Sequence, residues 1–152
     1  MYMKARDAIS GREGTLYATI DGKVFEVAEC KSISAKMEKK KVDFRALGYR
    51  GTQHKATGWD GTGQLVIHYA SSRWVKMMVD YARTGVDQYF KLQVTNDDPT
   101  AEIGKQRLTL IDVNLNGAEL AKLDVESDIL DQSMDFTFSD MVLNEEFSEL
   151  KD

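Results

Sequence analysis

Cysteine, proline and histidine are all scarce in this chain, at one, one and two residues among 152. A lone cysteine, Cys30, excludes an internal disulfide and fits a reducing compartment. One cysteine with two scattered histidines, His54 and His68, does not supply the paired spacings of a zinc site. No apolar run exceeds a few residues, so no segment reads as a membrane-spanning helix. The opening Met1-Tyr2-Met3-Lys4-Ala5-Arg6-Asp7 has no hydrophobic stretch of signal-peptide length. The expectation is a protein made and kept in the cytosol until it joins something larger. An excess of cations is missing too. A formal net charge of −5 argues against a nucleic-acid binder, which needs clustered cations to displace counterions.

What is present is unevenly placed. Residues 1–58 carry 12 Lys/Arg against 7 Asp/Glu, whereas residues 119–152 carry 2 against 11. Two readings stand. The charges are two solvated faces, or they are complementary surfaces on neighbouring subunits, since opposite potentials steer partners and fix register. The apolar content of 42% is enough for one globular core at this length.

Alternation with a period of two dominates. Leu16, Ala18 and Ile20 alternate, Asp21-Gly22 supplies a two-residue hairpin turn, and Val24, Phe25 and Val27 resume the strand pattern. Ile33, Ala35 and Met37 continue it, with Ser34, Lys36 and Glu38 on a solvent face. Further strands are expected around Leu65-Tyr69, Phe90-Val94, Arg107-Leu115 and Met134-Phe138. Arg107-Leu115 carries apolar residues at both parities, which predicts a strand covered on both faces. Trp74, Met77, Met78, Tyr81 and Ala82 instead follow the stripe of an amphipathic helix, capped by Ser71 or Ser72 and ended by Gly85. Such a stripe fits core packing over one side or open end of a β-sandwich.

The stretch Arg45–Gly63 holds five of the eleven glycines and shows no apolar periodicity. It reads as a long extended loop, and structureless loops beyond about 12–15 residues usually have a job or are disordered. Arg45, Leu47, Tyr49, Arg50, His54, Lys55 and Trp59 are its candidate subunit-interface residues, because exposed aromatics beside cations have the composition of an interface anchor. The alternative is a plain surface loop.

Motifs for chemistry fail on inspection. Asp112-Val113-Asn114-Leu115-Asn116-Gly117 opens like a calcium-binding EF-hand loop, but its twelfth position is Leu123, where a bidentate Glu is required. Gly58-Trp59-Asp60-Gly61-Thr62-Gly63 resembles a phosphate-cradling loop, yet no Lys-Ser/Thr or helix follows. Asp97-Asp98 before Pro99 fits a turn. No catalytic residue, metal site or cofactor is expected.

In sequence order, several segments carry a resemblance: Ile9-Ser10-Gly11 with Glu13-Gly14, His54-Lys55 before Thr57-Gly58, and Gly61-Thr62-Gly63. They continue with Asp80-Tyr81, Tyr89-Phe90-Lys91-Leu92-Gln93, Arg107-Leu108-Thr109-Leu110, Asp112-Val113-Asn114, Leu123-Asp124-Val125 and Phe136-Thr137-Phe138. Spanning nearly the whole chain, they resemble the inner tail tube proteins of contractile-tailed phages, of the type in PBSX-like defective prophages of Bacillus. The Tyr17–Glu29 region departs most and looks longer. The resemblance implies a mostly β, antiparallel sandwich or barrel with one flanking helix, one tail-tube domain over 1–152. It also implies homo-hexameric rings stacked into a tube inside a contractile sheath, with tail sheath and initiator or baseplate proteins as partners. DNA would pass through without specific binding, and no membrane is involved. The protein would reside in the virion tail and be assembled in the host bacterial cytoplasm. Residues 1–13, an N-terminal arm, and the 45–63 loop would reach neighbouring rings.

Similar folds occur in type VI secretion tubes and phage-tail-like bacteriocins. A β-barrel binding module, a type VI secretion-like tube protein, and an enzyme using Cys30 or a histidine are the competing readings. A lumen is expected to be acidic or neutral; a ring of Lys36, Lys39 and Lys41 lining it would contradict that.

Overall fold

A computed structural model describes residues 2–150. The elements in order are β1 (Gly14–Ile20), β2 (Lys23–Glu26), β3 (Cys30–Phe44), β4 (Gln53–His68), α1 (Arg73–Thr84), β5 (Phe90–Asp97), β6 (Lys105–Leu115), β7 (Asp131–Phe138) and β8 (Asp140–Glu145). The strands pair antiparallel in the order β2-β1-β5-β6-β7-β4-β3, and β8 adds to β6. The mostly β, antiparallel expectation with one helix therefore holds.

Local chemistry explains several elements. Asp21 and Gly22 both have positive φ (53° and 77°), the backbone that matches strand twist in a two-residue hairpin, so β1 and β2 pair directly across them. The amide of Arg73 donates to Ser71 Oγ at 3.3 Å near the start of α1; Gly85 ends the helix at φ 73°, donating to the carbonyl of Tyr81. The helix stripe is shorter than expected. Trp74 is fully buried and Met77 and Met78 pack on the core, but Tyr81 and Ala82 are exposed. Arg73 lays its guanidinium over the Phe25 ring at 3.6 Å, tying α1 to the β1–β2 hairpin.

Two differences from the sequence reading have clear causes. The double parity of β6 comes from a bulge rather than from cover on both faces. Leu108 and Leu110 face the core, Asp112 takes a left-handed φ of 55°, and Val113 and Leu115 then face the core instead. Ile111 and Asp112 thus lie opposite Lys91 alone, as Phe90 pairs with Val113 and Leu92 with Leu110. At that bulge β6 passes from pairing with β8 to pairing with β7, and Ser139 Oγ donates to Asp112 Oδ2 at 3.1 Å.

The second difference concerns the long loop. Residues 53–63 are strand, and only 45–52 connect β3 to β4. The ladder runs from Cys30↔Ile67 to Phe44↔Gln53, with a register shift at Lys40/Lys41. Apolar alternation requires one face against a core. Between Gln53 and Asp60 both faces of β4 meet water, so the strand had no pattern to display. Gly61 and Gly63 serve the core. An added Cβ at Gly63 would run into the Phe136 ring, and one at Gly61 would lie 2.5 Å from the Phe138 ring. Both rings cover bare backbone of the neighbouring strand, in register Gly61↔Phe138 and Gly63↔Phe136.

Candidate assembly surfaces

The β3–β4 hairpin divides at Gly61. Below it, β4 is sandwiched between β3 and β7; beyond it, the two strands run on as an arm paired, among the described residues, only with each other. All seven candidate residues lie on this arm. Arg45, Leu47, Tyr49 and Arg50 occupy the tip, and His54, Lys55 and Trp59 lie on its β4 side. His54 Nδ1 is 2.7 Å from Asp43 Oδ1 in a cross-strand pair. Trp59 is only 37% exposed, because its ring leans on Phe138 at 6.2 Å between centroids, so it closes the end of the core. Met37, Val42 and Phe44 were missed by the sequence reading. They are apolar residues exposed within the charged run Lys36–Phe44, and that mixture was the available signal.

The three lysines at issue do not share a face. Successive strand residues point to opposite sides, so Lys36 projects away from Lys39 and Lys41. Lys36 belongs to a polar face built of Ser34, Thr62, Gln64, Ser133, Asp135 and Thr137, where Gln64 Nε2 donates to Ser133 Oγ at 2.7 Å. The face continues through Glu38, Lys40 and Asp60, so two lysines stand with Glu38, Asp60 and Asp135. Lys36 pairs with Glu38 at 3.0 Å and Lys40 with Asp60 at 3.4 Å, which leaves it close to neutral.

The remaining polar clusters hold segments together. Asp131 receives Lys31 at 2.9 Å and His68 at 2.7 Å, linking β3, β4 and β7. Its carboxyl is held below the usual range, first by the Lys31 hydrogen bond and then by His68. Asp98 accepts from the amide of Ser10 at 2.9 Å and from the amide and hydroxyl of Thr100, and these bonds hold its pKa down as well. Around the same β5–β6 turn, the amide of Glu102 donates to the carbonyl of Arg6 and the amide of Ser148 to that of Ile103. Much of the expected 1–13 arm is therefore tied to its own subunit, with Tyr2 and Met3 exposed ahead of it; Met1 lies outside the described residues. Burial, then Glu29, pushes the Cys30 thiol up, which lowers its thiolate fraction. Among the described residues no group of three or more His, Cys, Asp and Glu could hold a metal ion.

A compact monomer of 17.2 kDa exposes about 7,800 Å². This chain exposes 10929 Å². The excess, roughly 3,000 Å², is surface that the protruding β3–β4 arm and the long connections leave uncovered. Residues 1–145 match the family described as phage tail tube protein. The chain belongs to the phage tail tube protein family. The resemblance read from the sequence thus holds. Within this family it is 41% identical over 149 residues to the phage-like element PBSX protein XkdM of Bacillus subtilis (strain 168), covering 98% of this chain and 99% of that one. Its fold is similar to the tube-terminating cap of the anti-feeding prophage, with a TM-score of 0.71 at 9% identity and 95% of each chain covered. It is also similar to the SPP1 tail tube, with a TM-score of 0.66 at 12% identity, over 91% of this chain and 80% of that one.

Proposed function

We propose that residues 1–152 act as one tail-tube unit, six copies of which close into a ring while rings stack into a hollow conduit for DNA or effectors. The match of residues 1–145 to the phage tail tube family carries this reading, and the uncovered arm offers surface for neighbours. Strand edges point the same way. Among the described residues β3 pairs only with β4, β2 only with β1 and β8 only with β6. Such edges are an aggregation hazard unless they are covered, and a head-to-tail contact that closes covers each one with the next copy.

The near-neutral face of β3, β4 and β7 lines the bore, where few cations leave DNA free to slide. Sheath protein surrounds the tube, and an initiator or baseplate complex seeds it. The assembly sits in a virion tail built in the host bacterial cytoplasm. Tyr2 and Met3, together with the arm tip, reach the adjoining ring. The subunit is not an enzyme: its carboxylate clusters are occupied in tying strands and turns, and its thiol is poorly ionised.

Negative-stain imaging with light scattering tests this. Concentrated protein seeded with sheared tube fragments is expected to grow hollow tubes with six-fold end views. A strictly monomeric species under all seeded conditions refutes it.

A further inference from the structure

Two exposed elements of this molecule match each other and cannot meet within one chain. The first is the arm. Residues 36–60 carry seven Lys/Arg against three Asp/Glu, and its exposed apolar residues include Val42, Phe44, Leu47 and Tyr49. The ion pairs on it involve Lys36, Lys40 and His54; among the described residues Lys39, Lys41, Arg45, Arg50 and Lys55 have none. The second is the connection between β6 and β7, residues 116–130, with four acids against one lysine. Among the described residues its single ion pair is Glu119–Lys122, and Asp124, Glu126 and Asp128 have no cation partner.

That connection also exposes its aliphatics. Leu123 and Val125 are each 98% exposed, and Leu120 and Ile129 are more than half exposed. Alternating acids and bare aliphatics are costly as a permanent water-facing surface, since each such side chain gives up about 1.5–3 kcal/mol of burial. The connection is nevertheless held in place. Tyr69 takes the carbonyl of Leu130 on its amide and donates its hydroxyl to the carbonyl of Leu120, and Lys122 Nζ reaches the carbonyl of Asp131 at 2.6 Å.

Position completes the case. The arm tip precedes Gln53, the first residue of β4, and the acidic connection is bonded to Tyr69, just past its last residue. Sixteen residues of strand separate them by about 50 Å. A surface at one end with its complement at the other generates a head-to-tail contact that repeats.

We infer that the basic arm tip of one copy seats on the acidic, aliphatic 116–130 connection of a copy in the next ring, with Arg45 and Arg50 against Asp124 and Glu126. This rests on the tube reading and names the receiving surface for its arm. Reversing either side places like charges together and slows elongation about tenfold or more.

The test uses the full chain. Arg45→Glu with Arg50→Glu, and separately Asp124→Lys with Glu126→Lys, are each expected to slow tube growth about tenfold or more, while all four together restore it. In a Cys30→Ser background, Arg45→Cys combined with Glu126→Cys, oxidised with copper phenanthroline, is expected to give disulfide-linked ladders in tubes and none in monomers. Tubes that grow at the unaltered rate in both reversed variants, or that form without cross-links, overturn the inference and leave the tube reading intact. Failure of the unaltered chain to polymerise when seeded overturns both.

Discussion

Strand β4 passes through two environments in sixteen residues. From Gly61 to His68 it lies between β3 and β7, with Leu65 and Ile67 fully buried and the rings of Phe136 and Phe138 over its glycines. From Gln53 to Asp60 it pairs with β3 alone and is exposed or half-exposed throughout. The ladder with β3 runs along both halves, with a register shift at Lys40/Lys41, and the inner half adds a second ladder with β7 and the burial of its side chains. Burial gives stability to the inner half. The outer half keeps its shape by the hairpin ladder and leaves its side chains exposed.

Substitutions can break that contrast. Phe136→Ala removes a fully buried ring from the inner half and is expected to cost about 3–5 kcal/mol, read by thermal or urea unfolding. An effect below ~1 kcal/mol would mean that the core does not depend on the Phe136–Gly63 contact.

Gly63→Ala is expected to cost about 1–3 kcal/mol through overpacking against the Phe136 ring and the carbonyl of Ser34. Gly58→Ala, in the outer half with open space around its Cα, is expected to stay within ~0.5 kcal/mol of the unaltered chain. Equal costs at the two glycines would erase the distinction.

Asp98→Asn addresses a segment that resembles neither half, the N-terminal stretch pinned to the β5–β6 turn. Hydrogen exchange at the Ser10 amide should speed up while core amides stay protected. The linkage has a definite sign. The carboxyl binds protons more weakly folded than unfolded, so its contribution is present above the usual carboxylate range. It is lost as pH falls through its depressed folded value, and acid unfolding of Asp98→Asn should lose that part of the pH dependence. Unchanged Ser10 exchange would show that the tether is not what holds the segment.

The smallest stability effect is expected at Phe44→Ser, on the arm. The melting temperature should scarcely move while tube yield in seeded growth falls. A large drop in melting temperature would place the arm in the cooperative core.

Elements with one face on the core were legible in the sequence. The β1–β2 hairpin announced itself by Asp21-Gly22, α1 by Trp74, Met77 and Met78 before Gly85, and β7 by Met134, Phe136 and Phe138. Positions without such a face were not legible. The glycines of 58–63 suggested a loop, since nothing local says that Gly61 and Gly63 lie beneath rings some 75 residues later. The candidate interface residues were found by composition and do gather on one arm. The exposed aliphatics of 120–129 escaped notice because a spaced leucine or valine looks the same whether it is buried or bare.

By itself the sequence determined the strand-rich class, the single helix, the absence of metal-binding spacings and the opposite charges of the two ends, because each follows from residue types and their local period. The path of β4 beyond the core, the parity change at Asp112, the tethering of residues 6–13 and the opposite placement of arm and acidic connection were decided only in three dimensions. They depend on which distant strands lie side by side, and pairing between segments many residues apart leaves no periodic trace in either segment alone.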